Sequence, residues 1–463
     1  MLNDQILKDV LNIALSTGAD FAEIFLEDKV KNNLQAEGGI ISNGGNNHIK
    51  GAGIRIMLDK ERVYGYTNNL DTENLLKLAS NLASSFHAQP NKREIVFKKL
   101  INPEKNKIKI HPKEVNIHDK AKYISDAHKY AKAVDECIKQ TKIMLLDEYQ
   151  DVLIVNSNGN YVTDSRVRTR IYITAIAEKD GTMQTGSAGP GGQVGYELFE
   201  QINLKEVAES AAKIAKTMVE AEECPSQEMS VILDNGFGGV IFHEACGHPL
   251  EATSVAKGLS IFSGKIGTKI ASELVTAIDD GTIDNAWGSG NYDDEGNPTR
   301  RNILIKDGIL QQYLVDDFNS RLMDQDSNGC SRRQSYKFMP TSRMSNTYID
   351  NGESTFDEII EATEYGLYAA KLGGGSVNPT TGDFNFAVME GYIVENGKIV
   401  KPVRGATLVG NGAEILHKID MVGNNLLRAQ GMCGSVSGSI PADVGQPALR
   451  VSKMTVGGRK GTK

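Results

Sequence analysis

Hydrophobic and polar positions alternate with two different periods over the first part of the chain, and each change of period predicts a change of element. Apolar residues recur every three to four positions over residues 3–17, which predicts an amphipathic helix. A second helix is predicted from Asp71, a residue type that often caps a helix, through DTENLLKLASNLASSF. Segments of period two, separated by Asn- and Gly-rich turns, predict strands at 21–28, 32–42, 51–58 and 62–67.

The same succession of elements recurs further along the chain. Helices are predicted at 114–139 and at about 202–221. The strands predicted between them are 142–150, 151–159, 160–180 and 183–189. The stretch 88–113 is polar and basic and contains three prolines, which predicts a linker. The two blocks share a pattern rather than a sequence, so they suggest an internal duplication without establishing one.

From about residue 228 the pattern changes to short strands and Gly-rich turns with few helices. One helix is predicted at about 355–370, and Asp-Gly and Asn-Gly hairpin turns are predicted at 307–308 and 396–397. The strands predicted here include 302–315, 384–405 and 449–456. The expected fold class is α+β, with two N-terminal blocks of helix, antiparallel strands and helix before a β-rich catalytic domain. The expected domains are 1–90, 105–222 and 228–463.

Composition narrows the possible partners and the compartment. The chain has 463 residues, a net charge of −8 and a sequence pI of about 5.6, which argues against nucleic acid as the main partner. No apolar run is long enough to cross a membrane, and the N-terminus lacks the pattern of a signal peptide. Five scattered cysteines, an odd number, do not suggest a disulfide framework. A reducing, cytoplasmic location is expected.

The stretch IFHEACGHPLE at 241–251 carries the candidate chemistry. His243 and His248 offer imidazoles that suit zinc, and Glu244 beside the first can act as a general base. Their spacing is i, i+5, which on a regular helix turns the second ligand roughly 140° from the first. Gly247 and the following proline favour an interruption, so the helix is predicted to end or bulge near 246–247. The alternative is a pair of structural histidines near a helix C-terminus.

A catalytic zinc site needs a third protein ligand, and two thiols compete for that role. Cys433 lies in GMCGSVSGSIPADVGQP, a loop of small residues that would let the backbone approach an ion closely. Cys246 lies inside the histidine motif, where it would pack readily as a small core residue. Spacing along the chain cannot decide between the two, and Cys433 could equally be a buried free cysteine.

Two further polar stretches are compatible with a functional role or with ordinary solvated turns. One is an acidic loop before a predicted strand, and the other precedes FNFAVMEGY. A third acidic turn around 279–281 is expected to be structural. The residues concerned in the first two stretches are Asp293, Asp294, Glu295 and Gly296, and Thr380, Thr381, Gly382 and Asp383.

Several of these stretches, taken in order, resemble the TldD/PmbA family of bacterial and archaeal cytoplasmic metalloproteases. They are HEACGHPLEA, DDEGNPT, SRRQSYKFMPTSRMSNTYI, TTGDFNFAVMEGYIVENGKI, VRGATLVGNGAEIL, CGSVSG and VGQPALRV. The resemblance covers essentially the whole chain. Because the HExxxH motif is kept, it points to the metal-bearing TldD-type subunit. It implies metal ligation by His243, His248 and Cys433, with Glu244 as the motif glutamate.

The resemblance also implies an activity and an assembly. The expected activity is hydrolysis of unfolded or small peptides in a chamber formed by a dimer, with the substrate bound as an added β-strand. The partner would be a second copy or a metal-free PmbA/TldE-type paralogue. The expected cofactor is Zn²⁺, and iron or another divalent metal is not excluded by the sequence. A zinc amidase of a non-peptide substrate and a non-catalytic partner subunit are the alternatives. A zinc deaminase is disfavoured because the chain has no CxxC motif.

Overall fold

A computed structural model describes residues 2–90, 94–100, 105–378 and 381–459. The fold is α+β, which confirms the predicted class. The helices are α1 (Asp4–Ala14), α2 (Thr72–Ala83), α3 (Ile117–Lys132), α4 (Leu198–Gln201), α5 (Leu204–Glu220), α6 (Val240–Phe242), α7 (Ala252–Val255), α8 (Asp317–Met323), α9 (Phe356–Glu361) and α10 (Gly412–Ile415). Within the described residues, none of the helices combines the length and the apolarity needed to cross a bilayer.

The strands account for more of the chain than the helices do. In the N-terminal part they are β1 (Phe21–Glu37), β2 (Ile40–Leu58), β3 (Glu61–Thr67), β4 (Lys98–Lys99), β5 (Ile138–Asn156), β6 (Asn160–Lys179), β7 (Thr182–Ala188) and β8 (Gly191–Gly192). Those that follow are β9 (Glu222–Glu223), β10 (Gln227–Leu233), β11 (Ala277–Asp280), β12 (Arg301–Lys306), β13 (Ile309–Leu310), β14 (Ser331–Arg332), β15 (Thr341–Ser342), β16 (Asn346–Ile349), β17 (Tyr365–Val377), β18 (Asp383–Glu395), β19 (Lys398–Arg404), β20 (Thr407–Asn411), β21 (Ile419–Val422), β22 (Leu427–Ser435), β23 (Gly438–Gln446) and β24 (Leu449–Gly457).

The two N-terminal blocks share one antiparallel sheet, whose order is β3-β2-β1-β5-β6-β4, with β7 and β8 also paired to β6. The blocks join through β1 and β5, which pair along most of their length from Glu23↔Asn156 to Glu37↔Lys142. The first block has three strands rather than the predicted four, because the predicted strand 32–42 contains the hairpin turn between β1 and β2. Gly38 and Gly39 adopt positive φ there, as that turn requires. Likewise, the predicted strands 142–150 and 151–159 are one strand, β5.

Helices cover the buried face of this sheet in two groups. Apolar positions of α1 and α2, such as Leu7 and Leu75, pack with residues of β1 and β2 in one core cluster. Helices α3 and α5 pack mainly through alanines in another. Asparagine side chains cap the N-termini of α1, α3 and α5. Asp71 occupies the N-cap position of α2, but its side chain makes no capping hydrogen bond, so that detail of the prediction is wrong.

The predicted linker at 88–113 lies partly outside the described residues, since 91–93 and 101–104 are not among them. Its described remainder is attached to the N-terminal sheet. Strand β4 pairs with β6, and the Glu197 carboxylate accepts hydrogen bonds from the backbone N–H groups of Lys109 and Ile110.

The C-terminal half contains two larger sheets around one core. Their orders are β17-β10-β24-β20-β18-β19-β9, with β21 added to β24, and β13-β12-β11-β16-β23-β22. The predicted hairpin turns at 307–308 and 396–397 are confirmed, with positive φ at both residues of each turn. The predicted helix 355–370 is wrong beyond α9, because β17 begins at Tyr365 and pairs in parallel with β10. An apolar run buried in this way cannot be told from a helix by periodicity alone.

A buried network of ion pairs joins the N-terminal sheet to the C-terminal half. Arg55 Nη2 lies 2.8 Å from Glu23 Oε2, and Arg55 also pairs with Glu295. Arg333 Nη2 lies 2.7 Å from the other oxygen of Glu23. Arg166 Nη1 contacts Asp294 Oδ1 at 2.7 Å. We call these six side chains the interdomain ion network; each is 8% exposed or less.

Candidate metal centre

The histidine motif folds as a short helical segment whose winding changes three times. A 3₁₀ turn at Gly236–Gly239 leads through α6 to a π-helical turn at His243–Gly247, and a second 3₁₀ turn follows at His248–Leu250. The His248 N–H donates to the His243 carbonyl, the i→i+5 bond of a π turn. The predicted interruption near 246–247 is therefore present. The wider turn brings both imidazoles of an i, i+5 pair to one side, which a regular α-helix would not do.

Small residues allow this segment to lie close to its neighbours. A Cβ on Gly239 would fall 2.4 Å from the Gly445 carbonyl oxygen of β23, so the first turn packs directly against that strand. A Cβ on Gly247 would fall 2.3 Å from the Met344 sulfur. The absence of a side chain at Gly247 therefore lets the π turn pass close over Met344.

The structure brings together His243, His248 and Cys433. The Cys433 Sγ lies 3.2 Å from His243 Nε2 and 3.2 Å from His248 Nε2. One ligand atom from each of the three residues lies within 4.8 Å of the other two. The imidazole rings are 5.2 Å apart and nearly perpendicular. Two imidazole nitrogens and one thiolate are a donor set that fits a catalytic zinc with an open fourth position.

The electrostatic interactions among these three side chains favour charge separation. Burial alone would raise the pKa of the Cys433 thiol, but the adjacent His243 and His248 outweigh burial and lower that pKa to about 3. Burial alone would lower the pKa of His248, but Glu251 and Cys433 raise it well above its ordinary value. A sulfur held as thiolate is the form that ligates metals, so the donor chemistry again fits a cation.

Glu244 lies beside this triad at the edge of a cleft. Its side chain is 34% exposed, and its Oε2 is 3.8 Å from His248 Nε2. The cleft has a volume of about 280 Å³ and is lined by His243, Glu244 and Cys433 together with Gly431, Met432 and residues 373–377. The candidate general base and two of the candidate ligands, His243 and Cys433, therefore face the same space.

Cys246, the competing thiol, is fully buried in the main apolar core of the C-terminal half. Its Sγ lies 3.5 Å from the Gly412 carbonyl oxygen, and burial raises the pKa of this thiol. It is not part of the group formed by the two histidines and Cys433. Cys246 thus packs as a small core residue, which was one of the two roles considered for it from the sequence.

The other polar stretches singled out in the sequence lie elsewhere. Asp294 and Glu295 belong to the interdomain ion network, and Asp293 accepts hydrogen bonds from the backbone N–H groups of Glu295 and Asn297. They are buried, so the alternative of a solvated turn is wrong for them. Asp279 is a buried residue of β11 that accepts from Ser345 and Thr347, rather than part of a turn.

The stretch before FNFAVMEGY forms an exposed turn at the start of β18, and Thr380 lies outside the described residues. Asp383 accepts hydrogen bonds there from the Thr381 hydroxyl and the Asn411 amide. These contacts are local, and none of the described residues of this turn lines the cleft described above.

One contact of the site was missed in the sequence. His248 Nδ1 lies 3.1 Å from Glu251 Oε2, so a carboxylate holds the imidazole nitrogen that does not face Cys433. The signal was present, because Glu251 stands three residues after His248 and can share its side of a helical turn.

Family models of the PmbA/TldA metallopeptidases match the chain in three parts: domain 1 over residues 22–85, the central domain over 110–219 and the C-terminal domain over 226–458. A "Metalloprotease TldD homolog" of Haemophilus influenzae is 36% identical over 99% of this chain and 97% of its own length. A "Zinc metalloprotease TldD homolog" of Saccharolobus solfataricus is 28% identical over 69% of this chain and 72% of its own.

Solved structures share the whole fold. A Thermotoga maritima protein described as a proposed modulator of a DNA gyrase superimposes with a TM-score of 0.81 at 21% identity, covering 98% of this chain and 100% of the other. TldE from Thermococcus kodakarensis superimposes with a TM-score of 0.75 at 19% identity, covering 97% and 99%.

Proposed function

Because the chain belongs to the PmbA/TldD metallopeptidase family and is a metal-dependent peptidase, we propose that its metal is held by His243, His248 and Cys433. The observation that carries this proposal is the convergence of three ligand atoms, with the Cys433 sulfur 3.2 Å from each histidine Nε2. The three residues come from two distant segments, the helical segment that contains the π turn and the following 3₁₀ turn, and β22. Only the tertiary fold brings them together.

Zinc is the metal we propose. The donor set of two imidazoles and one thiolate suits Zn²⁺, and soft thiolate ligands disfavour magnesium and calcium. The Saccharolobus solfataricus relative carries zinc in its name. Iron is the alternative that the donor set also accommodates.

We assign Glu244 as the general base. A divalent ion bound beside it would acidify a water molecule and polarise the scissile carbonyl. Glu244 takes the proton from the attacking water and returns it to the leaving amine as the peptide bond breaks. Its side chain opens into the cleft next to both histidines, which suits that role.

The proposed substrate is an unfolded or small peptide, bound as an extended strand. The cleft lies between β17, at residues 373–377, and β22, at Gly431–Cys433. A backbone that adds to a strand edge is recognised through its amide groups, which tolerates many side chains. A Cβ on Gly374 would meet nothing within 4 Å, so this part of β17 has room for an approaching backbone.

We propose that the enzyme works as a dimer, either with a second copy or with a PmbA/TldE-type paralogue, and that the dimer encloses the cleft in a chamber. Two exposed hairpin tips support an interface, since Ile40 and Val436 are each 75% exposed. The structural likeness to TldE makes a related subunit a suitable partner. We place the enzyme in the cytoplasm, where its unpaired cysteines stay reduced.

The decisive test compares two cysteine variants. Cys433→Ala should yield a folded protein with little bound zinc and little peptide hydrolysis, because one of three ligands is gone. Cys246→Ala is the matched control and should keep its zinc, because it removes a core atom only. Elemental analysis, circular dichroism and hydrolysis of an unfolded peptide report metal, folding and activity. A metal-poor Cys246→Ala with a zinc-loaded Cys433→Ala would overturn the ligand assignment.

A further inference from the structure

A buried arginine spans the two segments that carry the proposed ligands. Arg343 is 0% exposed, which is rare for arginine and needs paired donors. Its Nη2 donates to the Cys433 carbonyl oxygen at 2.6 Å. Its Nη1 donates to the Ser437 hydroxyl and to the Gly438 carbonyl oxygen, each at 2.9 Å. All three acceptors belong to the β22–β23 hairpin, so one rigid guanidinium fixes the turn that presents the Cys433 sulfur.

The same guanidinium faces the histidine segment through a carboxylate. Arg343 Nε lies 3.9 Å from Glu251 Oε1, and Glu251 Oε2 lies 3.1 Å from His248 Nδ1. Glu251 is only 4% exposed, so this charge has little water around it. A carboxylate that accepts from Nδ1–H selects the tautomer in which Nε2 is the lone-pair nitrogen, and Nε2 is the atom that faces Cys433.

The backbone around these two side chains is tied together as well. The Thr253 N–H donates to the Ser342 hydroxyl at 3.1 Å, and the Thr253 hydroxyl contacts both Thr341 and Ser342. Strand β15 therefore holds the chain just after Glu251 at the point where it delivers Arg343. The distance between the carboxylate and the guanidinium is set by these contacts rather than by the side chains alone.

We infer that Glu251 and Arg343 are positioning residues that hold His248 and Cys433 in one metal-binding arrangement. The inference rests on the metal site proposed above and extends it to two residues that touch no substrate. Glu251 fixes the tautomer and orientation of His248. Arg343 fixes the carbonyl beside the Cys433 sulfur and, through Glu251, couples the β22–β23 hairpin to His248.

A purely structural role for this arginine makes a different prediction. If Arg343 only stabilised the fold, its substitution would lower the stability of the protein and leave the metal affinity of the folded fraction unchanged. Arg333 supplies the matched control, because it is also buried and paired with a glutamate but belongs to the interdomain ion network. Arg333→Lys should therefore reduce stability without changing metal affinity.

The experiment measures Zn²⁺ affinity by chelator competition and the absorption spectrum of the Co²⁺-loaded protein. Arg343→Lys keeps the charge but loses the fork that reaches several acceptors, and Glu251→Gln keeps the shape but loses the charge. Each should weaken Zn²⁺ binding by about 10–100-fold, the usual effect of removing a partner behind a ligand. The thiolate-to-cobalt band should weaken in Arg343→Lys and stay unchanged in Arg333→Lys.

A double-mutant cycle separates coupling from two independent losses. If Glu251 and Arg343 act on the metal through one another, the double variant loses less affinity than the product of the single losses. Folded Arg343→Lys and Glu251→Gln with wild-type Zn²⁺ affinity would overturn the inference while leaving the metal site intact. Should Arg343→Lys not fold, Glu251→Gln and the milder Ser437→Ala decide the question by the same two readouts. A wild-type chain that binds no Zn²⁺ would refute the proposed site itself.

Discussion

The interdomain ion network and the candidate metal centre are both clusters of buried ionisable side chains, and they differ in what their polar atoms face. In the interdomain ion network, each carboxylate faces a guanidinium, as Glu23 faces both Arg55 and Arg333. In the candidate metal centre, the lone-pair atoms of His243, His248 and Cys433 face one another. In the first arrangement every charge has an oppositely charged partner within 3 Å. In the second, we propose that a cation is shared among the three atoms.

This difference distinguishes a cluster that holds two parts of the protein together from a cluster that binds a ligand. Burying charges is costly unless they are paired, so a fully paired network indicates a contact that holds two parts together. Two imidazole nitrogens and a thiol sulfur that converge on one point, as in this centre, are instead the donor set of a metal site. Composition cannot make this distinction, because an acidic loop such as DDEGNPT and a motif such as HEACGH are both rich in polar residues.

The largest expected effect is the loss of peptide hydrolysis when a residue of the candidate metal centre is substituted. Glu244→Gln removes the proposed base but none of the metal ligands, so the rate of peptide hydrolysis should fall by about 10²–10⁴-fold. Metal content should stay at the wild-type level by elemental analysis. Glu273→Gln is the control, since this side chain is 80% exposed. A Glu244→Gln enzyme that hydrolyses peptide at the wild-type rate would remove Glu244 from the mechanism.

A substitution in the interdomain ion network should lower stability and leave metal binding unchanged. Arg55→Met leaves the Glu23 and Glu295 carboxylates buried with one partner fewer, which should reduce the free energy of unfolding by about 3–5 kcal/mol. Zn²⁺ affinity of the folded protein should not change. Arg321→Met, which breaks a partly exposed ion pair with Asp20 between the same two halves, should cost about 1 kcal/mol or less in denaturant unfolding. Equal costs for the two variants would contradict the role given to burial.

The pH dependence of stability offers a third test. Burial raises the pKa of Glu148, but Lys29, Lys31 and Arg168 outweigh burial and lower that pKa from 4.5 to about 2. The stabilisation is therefore fully present above pH 4.5 and is lost as the pH falls toward 2.

Glu148→Gln should remove about 3 kcal/mol of stability at pH 7 and flatten this acid dependence, measured by urea unfolding at several pH values. Glu37→Gln, on the same sheet but with a side chain 52% exposed, is the control. An unchanged slope below pH 4.5 in Glu148→Gln would count against the ion pairing.

The smallest expected effect concerns the open space of the cleft. Gly374→Ala places a methyl group where nothing lies within 4 Å, so stability should be unchanged while an approaching peptide backbone is obstructed. The KM for an unfolded peptide should rise by about tenfold or less, with kcat nearly constant. Gly457→Ala on β24, which makes only ordinary contacts, should leave KM unchanged. If Gly374→Ala and the wild-type enzyme had the same KM, the proposal that the substrate binds along β17 would be wrong.

Most helices and hairpins of the fold could be predicted from local pattern. The period of the apolar positions located α1, α2 and α5 within a few residues, and the Asp-Gly and Asn-Gly dipeptides located two hairpin turns. The helix predicted at 114–139 is α3, which ends at Lys132 because the chain turns there and enters β5 at Ile138. The failures have a common cause. The secondary structure where β17 follows α9, and where β1 turns into β2, depends on which strand pairs with the segment. The sequence of one segment does not show which strand that is.

The site was predictable to the extent that it is local. The i, i+5 spacing with Gly247 predicted the interrupted helix. The pairing of Cys433 with the histidines depends on a fold that joins segments about 190 residues apart, and only the family resemblance indicated it. Glu251 was a readable neighbour that was not assigned. Arg343 gave no sequence signal, because its role comes entirely from three acceptors on a distant hairpin.

During synthesis, β1 leaves the ribosome well before β5, a strand with which it pairs. On the order of a hundred residues separate the two strands, and a ribosome adds roughly 5–20 residues per second. For roughly 5–20 seconds, the edge of β1 that β5 will occupy is exposed to other nascent chains. Lys29 and Lys31 lie on this strand among acidic residues, and charges on an open edge discourage pairing with the wrong partner. The strand that joins the two N-terminal blocks thus keeps one edge unpaired until the second block has been synthesised.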